Sequence, residues 1–173
     1  MSLKVIVENG NFSKTQMIDI IKKYLLLSDI QLLDVLNKSN NFVQFDVFIN
    51  DKIISLNMFL KNISNGGWKE KVDKKRIQVP AKNIRDLEMN TDIFCNMLVG
   101  FCIVNNKPLI AVRNPFRYMF HKTNRSCYTN VFDIATSYTK GFYSAKEAQK
   151  TVYYSDATHL KTLIEKYIEG NAI

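Results

Sequence analysis

The sequence predicts an α+β protein: a mainly antiparallel sheet, curled into an open β-pseudobarrel, with flanking helices. Three observations carry this. Several short runs alternate apolar and polar residues at period two and are joined by Asn- or Asp-bearing turns. Stretches of helical period lie near both ends and once late in the chain. The connections between runs are too short for the crossovers of a doubly wound parallel sheet. At 173 residues, 46% apolar and 12% aromatic, the chain is long enough for one domain with a real core. No internal repeat, low-complexity tract or Ser/Gly/Pro-rich linker divides it. The expected organisation is a single domain over residues 1–173. Residues 1–40 form a helical N-terminal extension, and residues 41–173 the barrel core with its late helices.

After an extended start, "LKVIVENGNF", Ser13 stands three residues before Gln16, the spacing of a capping box, in which hydroxyl and amide each satisfy an orphan backbone donor. Met17, Ile20, Ile21 and Tyr24 then follow helical spacing, so a helix is expected over 14–26. "SDIQLLDVLNKS" repeats the Ser-x-x-Gln spacing and reads as a second short helix, with a strand as the alternative. From Asn41 the period changes. "NFVQFDVFI" and "KIISLNMFL" form a hairpin across Asn50-Asp51, residue types that tolerate the positive φ of a tight turn. Gly66-Gly67 marks a loop and "KRIQVP" another strand. "NMLVGFCIV" is a continuous apolar run suited to a buried strand, and Asn105-Asn106 turns it into "LIAVRNP". "NVFDIATSYTKG" places Val131, Ile134, Ala135 and Tyr138 on one helical face, with Asn130 to cap its start and Gly141 its end. "KTVYYS" is a last strand. "DATHLKTLIEKYIEG" is a closing helix with Leu160, Leu163, Ile164, Tyr167 and Ile168 on one face and Gly170 at its stop.

Basic side chains exceed acidic ones by eight, which favours a polyanionic partner, either nucleic acid or an acidic membrane surface. No apolar run approaches the roughly 18–20 residues needed to span a bilayer, and the best helices are not especially basic, so no membrane partner is expected. Cys95, Cys102 and Cys127 make no even framework and no C-x-x-C pair. With no signal peptide at the start, this is cysteine usage of a reducing, cytoplasmic setting.

Catalytic chemistry finds little support. A metal-dependent nuclease needs clustered carboxylates to hold a hard cation. Asp46 and the acid-x-Lys spacing from Asp73 to Lys75 are the available parts, in poor order. Asp46 reads equally as an outward-facing strand residue and Asp73 as a solvated loop charge. His121 and His159 lack neighbours at zinc-ligand spacing, Cys127 six residues beyond His121 being no persuasive pair. Cys102 fills a core position in "LVGFCIV" more readily than it serves as a nucleophile. No phosphate-cradling glycine motif is present. No catalytic residue, metal or cofactor is expected.

The forty residues between Asp92 and Asp133 contain no acid, in a chain with sixteen acids elsewhere. Buried strands account for the first half. In the second, "AVRNPFRYMFHKTNRSCY", the basic side chains repel one another unless an anion neutralises them. Arginine forks bind phosphate oxygens and the major-groove edge of guanine, and asparagine reads adenine. Arg113, Asn114, Arg117, His121, Lys122, Asn124 and Arg125 supply these chemistries beside Tyr118, Ser126 and Tyr128. A second basic segment, "KNISNGGWKEKVDKKR", offers Lys61, Asn65, Lys69, Lys71, Lys74, Lys75 and Arg76 around Trp68. Two basic loops on neighbouring strands would grip double-stranded DNA, the first mainly positioning the backbone and the second reading bases. A Mg²⁺ nuclease using Asp46 and Asp73, an assembly module for an acidic protein and an RNA binder are the alternatives.

From Trp68 onward, the order of "KRIQVP", "LVGFCIV", "LIAVRNPFRY", "NRSCYTNVFDIATSYTKG" and "TVYYSDATHLKTLIEKYI" resembles the DNA-binding N-terminal regions of LlaJI-type, McrBC-related restriction enzymes. Those are similar to the plant B-three domain and the EcoRII effector domain. The likeness covers about residues 65–169. It implies an open pseudobarrel whose two arms, here the loop 61–76 and the segment 113–128, enter the major groove. It also implies a recognition module without its own motor or nuclease, which hands its target to an AAA+ GTPase motor region and a nuclease subunit. The early helices depart from the family's compact pattern.

Overall fold

The computed structural model describes residues 4–38, 42–66, 73–79, 87–118 and 125–171. In chain order these form β1 (Val7–Asn9), α1 (Lys14–Leu27), β2 (Gln31–Asn37), β3 (Phe42–Ile49), β4 (Lys52–Asn62), β5 (Ser64–Asn65), β6 (Lys74–Val79), β7 (Phe94–Val104) and β8 (Lys107–Arg113). A short 3-10 turn (Pro115–Tyr118) follows, then β9 (Arg125–Asn130), α2 (Val131–Lys140), β10 (Phe142–Glu147), β11 (Lys150–Ser155) and α3 (Leu160–Asn171). The α+β class expected from the period changes is the one observed.

The main sheet runs β10-β11-β8-β7-β4-β3-β2, with β1 extending the ladder on β7. Its pairs are antiparallel except β4 with β7, which run parallel from Ser55↔Phe94 to Asn62↔Phe101. A second sheet, β5-β6-β9, lies apart from this path. Both sheets are open, with β10 and β2 as the ends of the larger one, so the described strands do not close into a barrel. The middle of the main sheet is covered on both faces by other layers, while at its β2 end Leu33, Leu36, Phe48 and Ile53 stay exposed.

One core packs α1 and α3 on the main sheet. Met17, Ile21, Tyr24 and Leu25 meet Leu160, Leu163, Ile164 and Tyr167 over Phe45, Leu56, Met97, Val99 and Phe101. The other core lies between the main sheet, the second sheet and α2: Phe59, Leu98, Cys102 and Ala111 against Ile77, Val79, Cys127 and Ile134. Successive residues of β7 therefore enter opposite cores, which is why its sequence is apolar without alternation. Gly100 sits directly against Ile77 of the second sheet and Ile63. A Cβ there would lie 2.4 Å from Ile77 Cδ1 and 2.7 Å from Ile63 Cγ1.

Local signals hold well at the helix ends. Ser13 and Gln16 form the full capping box, Gln16 N–H donating to Ser13 Oγ at 3.2 Å and Ser13 N–H to Gln16 Oε1 at 2.8 Å. Asn130 caps α2 by accepting from Phe132 N–H at 2.8 Å, and Gly141 ends it at φ 82°. Both asparagine-bearing hairpin turns have positive φ at their two central residues, Asn50-Asp51 and Asn105-Asn106. The closing helix includes Gly170 and runs on to Asn171.

Residues 31–37 correct the reading: they are strand β2, not a second helix. The pairing with β3 shifts register between Leu32 and Asp34, so a bulge turns both Leu32 and Val35 toward the core. Two inward residues three apart imitate helical spacing. Ser28 does not start a helix either. Its hydroxyl accepts from Leu160 N–H at 3.0 Å and so caps α3 from the end of α1.

Packing this close yields two expected outcomes. Gly100→Ala forces methyl volume between the sheets and should lower stability by about 1–3 kcal/mol, read as a reduced urea midpoint; an unchanged midpoint would contradict the contact. Cys95, Cys102 and Cys127 are all buried, and burial pushes the Cys95 thiol up to about 11 and that of Cys102 up to about 12. A thiol reagent should therefore label none of the three quickly in the folded protein and all three in denaturant.

Candidate functional site

The two basic segments meet in the second sheet. β6 and β9 pair antiparallel over six residues, from Lys74↔Asn130 to Val79↔Arg125. β5 adds Ser64↔Arg76 and Asn65↔Lys75 on the far side of β6. Cross-strand partners share a face. Lys75, Ile77, Val79, Cys127 and Thr129 point inward and are buried, whereas Ser64, Lys74, Arg76, Gln78, Ser126, Tyr128 and Asn130 form the outer face. Ser64, Arg76 and Tyr128 make one row across the three strands, and Gln78 and Ser126 make the next.

The same pairing separates the loops that the segments carry. Asp73 leads into the Lys74 end of β6, while Arg125 opens β9 opposite Val79. The basic stretches therefore join the ribbon at opposite ends. Six strand residues span about 17–20 Å. Trp68, Lys69, Lys71, His121, Lys122 and Asn124 lie outside the described residues. Arg117 and Tyr118 stand on the 3-10 turn, and their side chains also lie outside the description.

Several expected DNA contacts are engaged inside the protein. Arg113 is a correction. It is 3% exposed, and its Nη2 donates to the Tyr128 carbonyl at 2.8 Å, tying β8 to β9. It was expected at the surface because basic neighbours flank it, but it pairs with Leu98 in β7 and shares that residue's inward face. Lys75 is a second correction. It is buried, its ammonium donating to Asn9 Oδ1 at 2.7 Å and Asn65 Oδ1 at 2.8 Å. Lys74 is bound to both carboxylate oxygens of Glu147 at 3.1 Å. Asn114 donates to Asn171 Oδ1 at 2.9 Å and accepts from Phe116 N–H. Lys61 lies over the Phe59 ring, 5.8 Å from its centroid. Arg76, Ser126 and Tyr128 remain on the outer face, and Arg125 is exposed at its end.

Sequence reading missed Ser64 and Gln78 on this face. The alternation in "KRIQVP" was the available signal, since Ile77 and Val79 inward place Arg76 and Gln78 outward.

The carboxylates of the nuclease alternative are not brought together. Asp46, on β3, accepts from Gln44 Nε2 and Ser55 Oγ, each at 2.7 Å. Asp73 belongs to the turn before β6, where its carbonyl accepts from Val131 N–H. Among the described residues no group of three acidic, His or Cys side chains is placed to hold a metal ion. His159 bonds Asp156 Oδ1 at 2.7 Å and packs over Gly141. No described helix is long and apolar enough to cross a membrane.

Burial disfavours the charged form of Lys75 and lowers its pKa, an effect the nearby Cys102 opposes. The folded protein thus releases this proton at a pH where the unfolded chain still binds it. Stability gains with rising pH between the lowered value and the ordinary 10.5. Lys75→Met removes that contribution. The stability difference, wild type minus variant, should grow as pH rises through this alkaline window in urea titrations; a flat difference counts against a desolvated ammonium.

A family model described as methylase-associated X1 (MTaX1) matches residues 54–164. The match runs from within β4 to within α3 and includes all of the resemblance's span except its last few residues. No curated protein matches the chain, nor does any solved structure. The chain belongs to the methylase-associated X1 family.

Proposed function

We propose that this methylase-associated X1 chain is the sequence-specific double-stranded DNA recognition module of a restriction–modification system and has no catalytic site of its own. The observation that carries the reading is the β6–β9 pairing, which joins both basic segments in one ribbon with a polar outer face. A methylase and its opposing nuclease must find the same target, so a companion chain that reads DNA has a natural place beside them. The excess of eight positive charges favours a phosphate backbone as partner.

A two-stranded ribbon fits the B-DNA major groove, about 12 Å wide. Arg76 and Gln78 carry the side-chain chemistries that read guanine and adenine edges there, and Ser126 and Tyr128 lie beside them. Arg125 and the basic residues of both loops hold the backbone. In this reading the two sheets correspond to the open pseudobarrel of LlaJI-type recognition regions, and cleavage belongs to a nuclease subunit working with an AAA+ GTPase motor region. The setting is the cytoplasm, where the target DNA lies.

The test is a gel-shift selection on a randomised duplex pool at several salt concentrations. With six to ten phosphate contacts, affinity should fall by about three to five orders of magnitude between low and moderate salt. Arg76→Ala should cost roughly 1–3 kcal/mol and relax preference at one base pair. Lys61→Ala, away from the outer face, should leave the base preference intact. Equal losses on all sequences would reduce the chain to a non-specific binder. Plasmid cleavage with Mg²⁺ that disappears in Asp46→Ala would make it a nuclease instead.

A further inference from the structure

The core-facing side of α1 is the stripe Met17, Ile21, Tyr24 and Leu25. Leu27 lies outside that stripe and is 45% exposed. With Ile20, Lys23 and Tyr24 it follows the spacing i, i+3, i+4, i+7, which lines residues up along one side of a helix. These four residues form one wall of a cavity of about 770 Å³. The other walls are Lys107 to Leu109 after the β7–β8 turn, Tyr138 and Thr139 near the end of α2, and Asp156 to Thr158 between β11 and α3. Its lining reaches down to two buried side chains, Tyr24 of one core and Leu109 of the other.

The walls are tied to one another. Tyr24 Oη donates to the Pro108 carbonyl and so joins α1 to the start of β8. Ser28 Oγ, just past α1, donates to the Ala157 carbonyl at 3.3 Å and joins that helix to the loop before α3. Asp156 N–H donates to the Gly141 carbonyl at 2.9 Å, which joins the same loop to the end of α2. A recessed apolar cavity with walls already fixed needs little ordering to take a small ligand.

Charge narrows the choice of ligand. Of the three charged residues in the lining, Asp156 is engaged through Oδ1, which accepts from Thr158 N–H at 2.9 Å and bonds His159 Nδ1 at 2.7 Å. The lysine ion pairs among the described residues use Lys52, Lys74 and Lys166. Lys23 and Lys107 therefore stand at the cavity with no carboxylate partner among those residues. Two such ammonium groups favour an anion, and the floor favours a hydrocarbon or aromatic body. The Asp156 carboxylate in the same lining opposes a second negative charge, which disfavours nucleotides and other polyanions. Depth disfavours a protein surface, since an occupant must reach Tyr24 and Leu109.

We propose that this cavity binds a small amphipathic monoanion, an apolar body bearing one carboxylate-like group. Lys23 and Lys107 meet the anionic group, while Ile20, Leu27, Pro108 and Leu109 meet the body. No residue of the second sheet takes part, so the site does not depend on the DNA reading.

The full chain is titrated with octanoate by calorimetry, with thermal unfolding in parallel. Saturable binding and a raised Tm are expected. Octan-1-ol, similar in body and uncharged, should bind roughly tenfold more weakly, the size of a lost charge-assisted hydrogen bond. Lys23→Gln/Lys107→Gln should bring octanoate down to the level of the alcohol and leave the alcohol unchanged. Thr139→Trp, which fills the cavity from an exposed position, should remove the binding of both. Lys52→Gln/Lys166→Gln, matched in charge and outside the lining, should alter neither. Absence of saturable binding at millimolar octanoate, equal affinity for acid and alcohol, or equal weakening by both lysine pairs overturns the site. So does an acidic apolar peptide that binds where octanoate does not, which would make the cavity a protein-docking groove. Octanoate binding in a chain that never shifts duplex DNA leaves the cavity assigned and removes only the recognition reading.

Discussion

The structure depends on β7 being buried on both faces. Met97, Val99 and Phe101 face the helices while Leu98, Gly100 and Cys102 face the second sheet. A strand in that position has no solvated side to give it register through alternation, so its ladders must do so. It pairs with β4 along eight residues, with β8 along seven, and with β1 at its end. The long path from β4 to β7 allows the parallel pairing, and that path also contributes β5 and β6 of the second sheet. One constraint thus fixes both the central layer and the position of the ribbon proposed to read DNA.

Buried cations follow from the same layering. The inward face of the second sheet is not apolar throughout, since it carries the buried pair Lys75 and Thr129. Lys75 spends its charge on two asparagine oxygens, one from β1 and one from β5, so that a single ammonium joins three elements. Arg113 joins β8 to β9 in the same way. Such groups are weak sources of net stability, since desolvation opposes their bonds. They do bind the second sheet to the first at defined points. The difference between them is chemical. Lys75 has two asparagine acceptors, whereas Arg113 has one backbone carbonyl and an Nε with no hydrogen-bond partner among the described residues.

Where sequence and structure agree, local chemistry was decisive on its own. Ser13 with Gln16, Asn130 with Gly141, and the Asn-rich hairpin turns each act within a few residues, so neighbouring types suffice to read them. The failures are tertiary. Leu32 and Val35 both face inward only because β3 imposes a bulge. β10 went unread because "FYSAKE" is mostly polar and its turn uses Ala148 and Gln149 at φ 50° and 66°, residues that seldom announce such a turn. Arg113 was legible as a cation but not as a buried one, since its inward direction comes from its register opposite Leu98. Of the candidate site, the union of two basic segments was foreseen, but not the opposite ends at which their loops join it.

The absence of acids from residues 93–132 now has separate causes along its length. β7 and the middle of β8, Leu109 to Val112, exclude charge because both faces are covered. Past Val112 the reason changes. Arg113 is buried, and among the described residues no carboxylate pairs with it. Had a carboxylate occupied this stretch, it could have closed the guanidinium into an internal pair, as Glu147 does for Lys74. In the proposed reading, the ribbon's outer face with Arg76 is what a partner with several phosphates would meet.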